Sequence, residues 1–215
     1  MKNYNLLVFD WDGTLADSAG LFVELMQKAA ADLGYTIPSV AEINKVFGLN
    51  LELVQEQFFP TVNYKVFQDI FYKHYSEEHF TSYFFAGAIE TLTDLKAKGF
   101  DLAIATNQGQ AKLEAVLEKT KTKHLFTATR CPDNSFPKPH PEMLLTLLDE
   151  LSYEPEDALM IGDTVFDMQF AQNAKVDALA ACYGHQNKEQ LAKFNPVGLL
   201  EDIRDLKKVL NYKLQ

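Results

Sequence analysis

Leu6-Leu7-Val8-Phe9-Asp10-Trp11-Asp12-Gly13-Thr14 is the stretch from which the rest of the chain can be read. Four consecutive apolar residues bounded by polar ones read as a strand of a parallel sheet. In open α/β sheets ligands bind beyond the carboxyl ends of such strands, so Asp10 and Asp12 stand where chemistry is expected. Two carboxylates this close in a cleft imply a metal ion, a shared proton or both.

Composition bounds the answer. With 215 residues the chain accommodates one large domain, or a main domain with a smaller insertion, and 47% hydrophobic residues argue against disorder. A net charge of -10 excludes a nucleic-acid partner, because no basic stripe is present to displace counterions from a phosphate backbone. A small phosphorylated ligand stays open if a metal masks the carboxylates. Cys131 and Cys182 form no disulfide framework and read as packed or idle thiols in a reducing compartment. The N-terminal apolar run is broken by Asp10 and Asp12 and reads as neither signal peptide nor membrane span. A cytoplasmic protein, monomeric and without membrane attachment, is expected.

Apolar β-type runs recur at Leu6 to Phe9, Leu102 to Thr106, more weakly Leu125 to Thr129, Ala158 to Ile161 and Ala178 to Cys182. Helical patterns separate them: Ala88 to Lys98 closed by Gly99, Gln110 to Lys119, Pro141 to Leu151 and Phe166 to Asn173. This alternation predicts a parallel sheet covered by helices, with Leu200 to Leu210 as a closing helix. Between Asp17 and about Phe80 the rhythm breaks into helix-like segments without a strand, which predicts an inserted helical domain. Ser18 is expected to cap a helix running to about Leu33, with Gly34 as its stop, and Pro38 and Pro60 punctuate later helices. Tyr64, Phe67, Phe71 and Tyr75 recur at helical spacing beside Tyr72; the core of a small bundle accounts for that stripe better than a substrate-stacking wall or dimer face.

Three strands end in small polar or acidic residues: Asp10 and Asp12 after the first, Thr106-Asn107 after the second, and Gly162-Asp163-Thr164 with Asp167 after the fourth. Parallel strands bring their carboxyl ends to one edge, so these residues are expected to converge. Phe136-Pro137-Lys138-Pro139 places a lysine between prolines just before a helix, restricting where its ammonium points. Asp10 and Asp163, with a backbone carbonyl and water, offer the hard oxygen ligands that Mg²⁺ prefers. Thr106, Asn107 and Lys138 supply hydroxyl, amide and ammonium donors for a phosphoryl group. Phosphoryl transfer is largely positioning and electrostatics, so a carboxylate nucleophile, a divalent ion and a lysine suffice in principle, with a second carboxyl to protonate the leaving oxygen.

Asp10-Trp11-Asp12-Gly13-Thr14-Leu15 resembles the first motif of the haloacid dehalogenase-like hydrolase superfamily. Thr106-Asn107, Lys138 and Gly162-Asp163-Thr164-Val165-Phe166-Asp167 are similar to its second, third and fourth motifs, in the same order. The resemblance implies an α/β fold: a Rossmann-like parallel sheet core with helices on both faces, residues 1–16 and 81–215, and an inserted α-helical cap domain, residues 17–80. It further implies a Mg²⁺-dependent phosphatase acting on a small phosphorylated metabolite, similar to the capped branch that contains phosphoglycolate phosphatase and β-phosphoglucomutase. Asp10 would attack phosphorus and form an aspartyl-phosphate. Asp12 would protonate the leaving alcohol and later activate water, and its backbone carbonyl would ligate Mg²⁺. Asp163 would complete the metal site, with Asp167 contacting the ion directly or through its waters. Thr106, the Asn107 amide and Lys138 would hold the phosphoryl oxygens, Lys138 also orienting Asp10. Phe85-Ala86-Gly87-Ala88 resembles the return from cap to core, with Ala86 where a proline is customary.

Other residues carry plainer expectations. Asp17 reads as a hinge or helix start, Thr14 and Thr164 as supporting hydroxyls or turn formers, and only the backbone amide of Trp11 is expected at the phosphate. His185 follows the last strand near the same edge and could touch substrate, but reads as a surface histidine, and His74, His79, His124 and His140 lack metal-ligand spacing. Glu77-Glu78 and Lys207-Lys208 read as solvated faces, as do Lys28, Lys45, Asn50 and Lys65, although each of these four could reach a leaving group. Two alternatives compete with the phosphatase. A phosphomutase would use the same core while excluding water from the aspartyl-phosphate. A non-enzymatic phospho-aspartate receiver would have no reason for the helical insertion or for Asp12.

Overall fold

The computed structural model describes residues 4–75 and 84–210. Its centre is a six-stranded sheet in the order β3-β2-β1-β4-β5-β6, every neighbouring pair parallel. The strands are β1 (Leu6–Phe9), β2 (Asp101–Ala105), β3 (Ala128–Arg130), β4 (Ala158–Gly162), β5 (Asp177–Ala181) and β6 (Gly198–Leu200). In β1 all four side chains are fully buried, and alternation sends Leu7 and Phe9 into one core and Leu6 and Val8 into the other. Chain order reverses between β1 and β4, which creates a crevice at their carboxyl ends.

Ten α-helices lie in the described residues: α1 (Ala19–Asp32), α2 (Val40–Asn44), α3 (Leu51–Phe58), α4 (Tyr64–Lys73), α5 (Ala88–Ala97), α6 (Gln110–Lys119), α7 (Glu142–Leu151), α8 (Val165–Asn173), α9 (Lys188–Leu191) and α10 (Leu206–Val209). Leu92 and Leu95 of α5 and Leu113, Val116 and Leu117 of α6 cover one face of the sheet. Met143, Leu144, Leu147 and Leu148 of α7, with Met168, Phe170 and Ala171 of α8, cover the other. Helices α1 to α4 build a third core in which Leu25, Met26, Ala29 and Ala30 meet Phe67 and Phe71. Phe67 and Phe71 are one helical turn apart, so α4 turns a single aromatic edge inward. The chain leaves the sheet and rejoins it side by side: Ala16 bridges Phe84, and the Phe85 N–H donates to the Leu15 carbonyl at 3.0 Å.

Most expected elements match within a residue or two. The C-terminal segment differs. Leu200 to Leu210 is not one helix: Gly198–Leu200 pairs with β5, a 3₁₀ turn covers Ile203–Asp205, and α10 is a single turn. Leu200, Ile203 and Leu206 keep the three-residue spacing of a helix, but an open sheet edge beside β5 captured the first of them. The expected third strand begins three residues late, because Lys123–Leu125 forms a 3₁₀ turn. Ser18 does precede α1, yet its hydroxyl makes no capping bond. Gly34 follows α1 with a φ of 71°. The expected cap boundary at residue 80, together with Glu77, Glu78 and His79, lies outside the described residues.

Phe67 is fully buried in the third core, so Phe67→Ala should lower stability by about 3–5 kcal/mol. Urea unfolding followed by circular dichroism reads this; a change below about 1 kcal/mol would show that α1 to α4 do not share a packed core.

Candidate active site

Each site residue is delivered by the end of a strand or the start of a helix. The β1 to β4 register pairs Phe9 with Ile161, and the Asp10 N–H donates to the Ile161 carbonyl at 2.9 Å, which sets Asp10 beside Gly162 and Asp163. Beyond β2, the Thr106 N–H bonds the Arg130 carbonyl at 3.1 Å and continues the ladder toward the same edge. Asp167 occupies the first turn of α8, where Thr164 caps the helix: the Thr164 backbone N–H and hydroxyl donate to Asp167 Oδ2 at 2.9 and 2.6 Å. Thr164 is therefore the supporting hydroxyl expected of it.

Lys138 lies between the two acids. Its Nζ donates to Asp10 Oδ1 at 2.6 Å and to Asp167 Oδ1 at 2.7 Å, with the lysine side chain only 2% exposed. Burial alone would lower the ammonium pKa; the charges of Asp10 and Asp167 outweigh it and hold the pKa above its ordinary value. Asp163 has different partners. Its Oδ1 accepts from Thr14 Oγ1 at 3.0 Å, and its Oδ2 accepts from the His185 N–H at 2.8 Å and lies 2.7 Å from His185 Nδ1. Thr14 is thus also a supporting hydroxyl.

One carboxylate oxygen from each of Asp10, Asp163 and Asp167 falls within a 4.8 Å group. Burial pushes the Asp10 pKa well above the ordinary carboxylate range, and although Lys138 opposes the shift, the charges of Asp167 and Asp163 add to it. Burial likewise raises Asp163, against the hydrogen bonds from His185. Three buried carboxylates served by one lysine retain excess negative charge. A small divalent cation with hard-oxygen preference, of which Mg²⁺ is the common example, fits this donor set by charge and ligand type.

Above this group lies a cavity of about 510 Å³, lined from the sheet side by Asp10, Asp12, Thr106 and Gln108 and from α1 to α4 by residues including Phe22, Phe47, Tyr64 and Tyr72. Asp12 stands at the cavity with its Oδ2 accepting from Gln108 Nε2 at 2.8 Å. Ser18 Oγ and Gln108 Oε1 are buried at this wall without a partner among the described residues, and unpaired polar atoms lining a cavity are natural contacts for a polar ligand.

Four sequence expectations change. The Asn107 side-chain amide is not presented as a free phosphate donor: it donates to the Gly48 carbonyl at 2.8 Å and to the Lys138 carbonyl at 3.4 Å, while its oxygen accepts the Lys138 N–H at 2.8 Å. It ties the lysine loop to the insertion, because both its protons are committed. His185 is no surface residue; its side chain is 4% exposed, bonded to Asp163 and stacked on the Phe47 ring. Its position just past β5, on the same edge as the acids, was the available signal. The aromatic stripe divides, with Phe67 as pure core while Tyr64 and Tyr72 also line the cavity. Asn50 caps α3 and lines the cavity as well, whereas Lys28 and Lys65 pair with Glu24 and Asp69 and Lys45 is exposed.

The remaining residues fall into place simply. Gln108, unremarked in the sequence, holds Asp12. Trp11 is fully buried against Phe84, its ring outside the cavity lining. Gly13 has a φ of 88°, and a Cβ there would collide with the Asp163 carboxylate and the His185 ring. Cys131 is buried, its thiol pushed up to about 12 and hence inert at neutral pH. His74 pairs with Asp32, and His140 contacts Phe136, both away from the acids.

A doubly wound parallel sheet with acids, a buried lysine and a helical insertion at its switch point defines a class of hydrolases. The chain belongs to that family: the family model described as "Haloacid dehalogenase-like hydrolase" matches residues 7–181. Relatives over nearly its whole length include phosphoglycolate phosphatases. That of Vibrio cholerae serotype O1 is 29% identical, covering 98% of each chain, and that of Agrobacterium fabrum is 26% identical over 97% of this chain and 93% of its own. The same fold is found in a haloacid dehalogenase-like family hydrolase from Streptococcus pneumoniae, with a TM-score of 0.83 and 22% identity over 95% of this chain and 97% of the other. These relatives put the chain among the phosphatases of the family.

In divalent-free buffer Asp10 has a raised folded-state pKa, so its contribution to stability is present below pH ~4 and is lost as pH rises through the folded value. Asp10→Asn should therefore raise stability at neutral pH, on the order of 1 kcal/mol, and flatten that decline. Thermal unfolding of both proteins across pH 4 to 8 tests this; a less stable variant at pH 7 would contradict the excess charge.

Proposed function

We propose that this chain is a Mg²⁺-dependent phosphatase that hydrolyses a small phosphomonoester, phosphoglycolate-like or a sugar phosphate, through an aspartyl-phosphate on Asp10. The observation that carries this reading is the buried grouping of Asp10, Asp163 and Asp167 around Lys138, directly beneath a cavity that Asp12 also faces. Residues 17–80 serve as a cap over a core of residues 1–16 and 81–215; the separate core of α1 to α4 and the adjacent strands at Ala16 and Phe84 support that division. Among the described residues no helix is long and apolar enough to cross a membrane, and a cytoplasmic monomer is our working assignment.

The chemistry follows from the positions of the side chains. Asp10 keeps one oxygen on Lys138, while its other oxygen accepts no hydrogen bond from any described residue and is the nucleophile. As its bond to phosphorus forms and the bond to the leaving oxygen breaks, Asp12 gives that oxygen a proton. Asp12 then takes a proton from water, whose oxygen attacks phosphorus and releases Asp10. Gln108 keeps Asp12 at the cavity wall, and Thr106 offers its hydroxyl to a phosphoryl oxygen. Asp10, Asp163 and the Asp12 carbonyl, with Asp167 directly or through water, would hold Mg²⁺. When bound, the ion neutralises charge on the phosphoryl oxygens and on the clustered acids.

Phosphate release from a panel of phosphorylated metabolites and 4-nitrophenyl phosphate should require Mg²⁺ and stop with chelator. Asp10→Asn should abolish it, and Asp12→Asn should lower kcat by about 10²–10⁴. Full activity in Asp10→Asn would end this assignment. A hexose phosphate should yield free sugar and phosphate; an isomerised sugar phosphate would instead identify a mutase.

A further inference from the structure

Among the described residues that line the cavity, one cation is not used by the reaction above. Lys112, in the first turn of α6, lines the cavity together with Asp12 and Tyr72. Its Nζ lies 4.9 Å from the ring centroid of Tyr75 and 5.7 Å from that of Tyr72. Aromatic faces hold an ammonium in place and shield it from water, but they do not neutralise it. No carboxylate among the described residues forms an ion pair with it. Burial lowers its pKa, with only the more distant charge of Asp12 acting in the other direction. The contrast with the other lysines is plain: Lys138 is saturated by two acids, and Lys28 and Lys65 each pair with a carboxylate one turn away.

Among the described residues, the remaining charged side chains of the cavity lining are Asp10, Asp12, Glu52 and Asp133. With Asp10 committed to the metal and phosphoryl end, any further negative charge on a ligand would be repelled by every charged wall residue except Lys112. A neutral leaving group would gain nothing from a partly buried, unpaired ammonium, whereas an anionic one would supply the missing partner.

We propose that Lys112 determines specificity by receiving a second anionic oxygen group carried on the leaving-group side of the phosphoester. This rests on the phosphatase reading and narrows its substrate class to phosphoesters of acids. Lys112 makes this contact directly. If it acted only through Asp12, its loss would slow every substrate alike.

The test uses the full chain with Mg²⁺ and two matched pairs of probes, 2-phosphoglycolate with 2-hydroxyethyl phosphate and 3-phosphoglycerate with glycerol 1-phosphate, alongside 4-nitrophenyl phosphate. The wild-type protein should favour the acid in at least one pair by about tenfold or more in kcat/KM, as one charge-assisted contact allows. Lys112→Met should erase that preference mainly through KM, leaving the neutral probes within about threefold, and Lys112→Arg should restore part of it. No preference for the acid in either pair for the wild-type protein would overturn the proposal without any variant. An equal loss on all probes in Lys112→Met, or no change, would overturn it too. Turnover of 4-nitrophenyl phosphate without acid preference would leave the phosphatase reading standing; no phosphate release from any probe would remove both.

Discussion

Three carboxylates brought together out of water repel one another, and in this fold the resident counter-charge is Lys138. Its ammonium, held 2.6 Å from Asp10 and 2.7 Å from Asp167, joins the end of the central strand to the first turn of α8. Removing the lysine would leave both acids buried without their cation, a loss that typically costs about 3–5 kcal/mol, so sheet edge, lysine loop and helix start are one energetic unit. The Asn107 side-chain oxygen, which accepts the Lys138 N–H, fixes the loop that carries the lysine. Excess negative charge persists even so, and it is what makes the site receptive to a divalent ion.

The site is tied to the insertion by direct contacts. Asn107 reaches the Gly48 carbonyl, Phe47 stacks on His185, and His185 bonds Asp163. A continuous set of contacts therefore runs from the helical segment to Asp163. The same arrangement gives the cavity two chemically distinct walls, with Asp10, Asp12 and Thr106 on the sheet side and tyrosines, phenylalanines, Asn50 and Glu52 on the other. A reaction common to many hydrolases can be kept on the first wall while selectivity is adjusted on the second and at Lys112, where α6 meets the tyrosines.

Much of this was legible in the order of residues. The acids of the first and fourth motifs follow apolar runs, and parallel strands have no choice but to bring those ends to one edge. Helix limits were legible where local chemistry is strong, as at Gln110 to Lys119. What misled was periodicity without context: Leu200, Ile203 and Leu206 are spaced as a helix, while β5 presented an unpaired edge that drew Gly198–Leu200 into the sheet. His185 was misjudged, and the tie made by the Asn107 side chain went unseen, for a related reason. Their types suit a ligand contact and a surface site respectively, but their partners, Gly48 and Asp163, lie 59 and 22 residues away.

The sequence by itself determined the parallel sheet, the identity of the converging acids and lysine, and the kind of reaction they suit. Those follow from strand-length apolar runs, the fixed polarity of parallel strands and the chemistry of carboxylates near phosphate, all of which are local or topological. Only the tertiary structure decided that Asn107 is a tie, that His185 buttresses Asp163, and that Lys112 stands beside two tyrosines in the cavity with no ion-pair partner among the described residues. Each of these depends on which side chains meet across the insertion and the sheet edge, and no short-range pattern encodes that meeting.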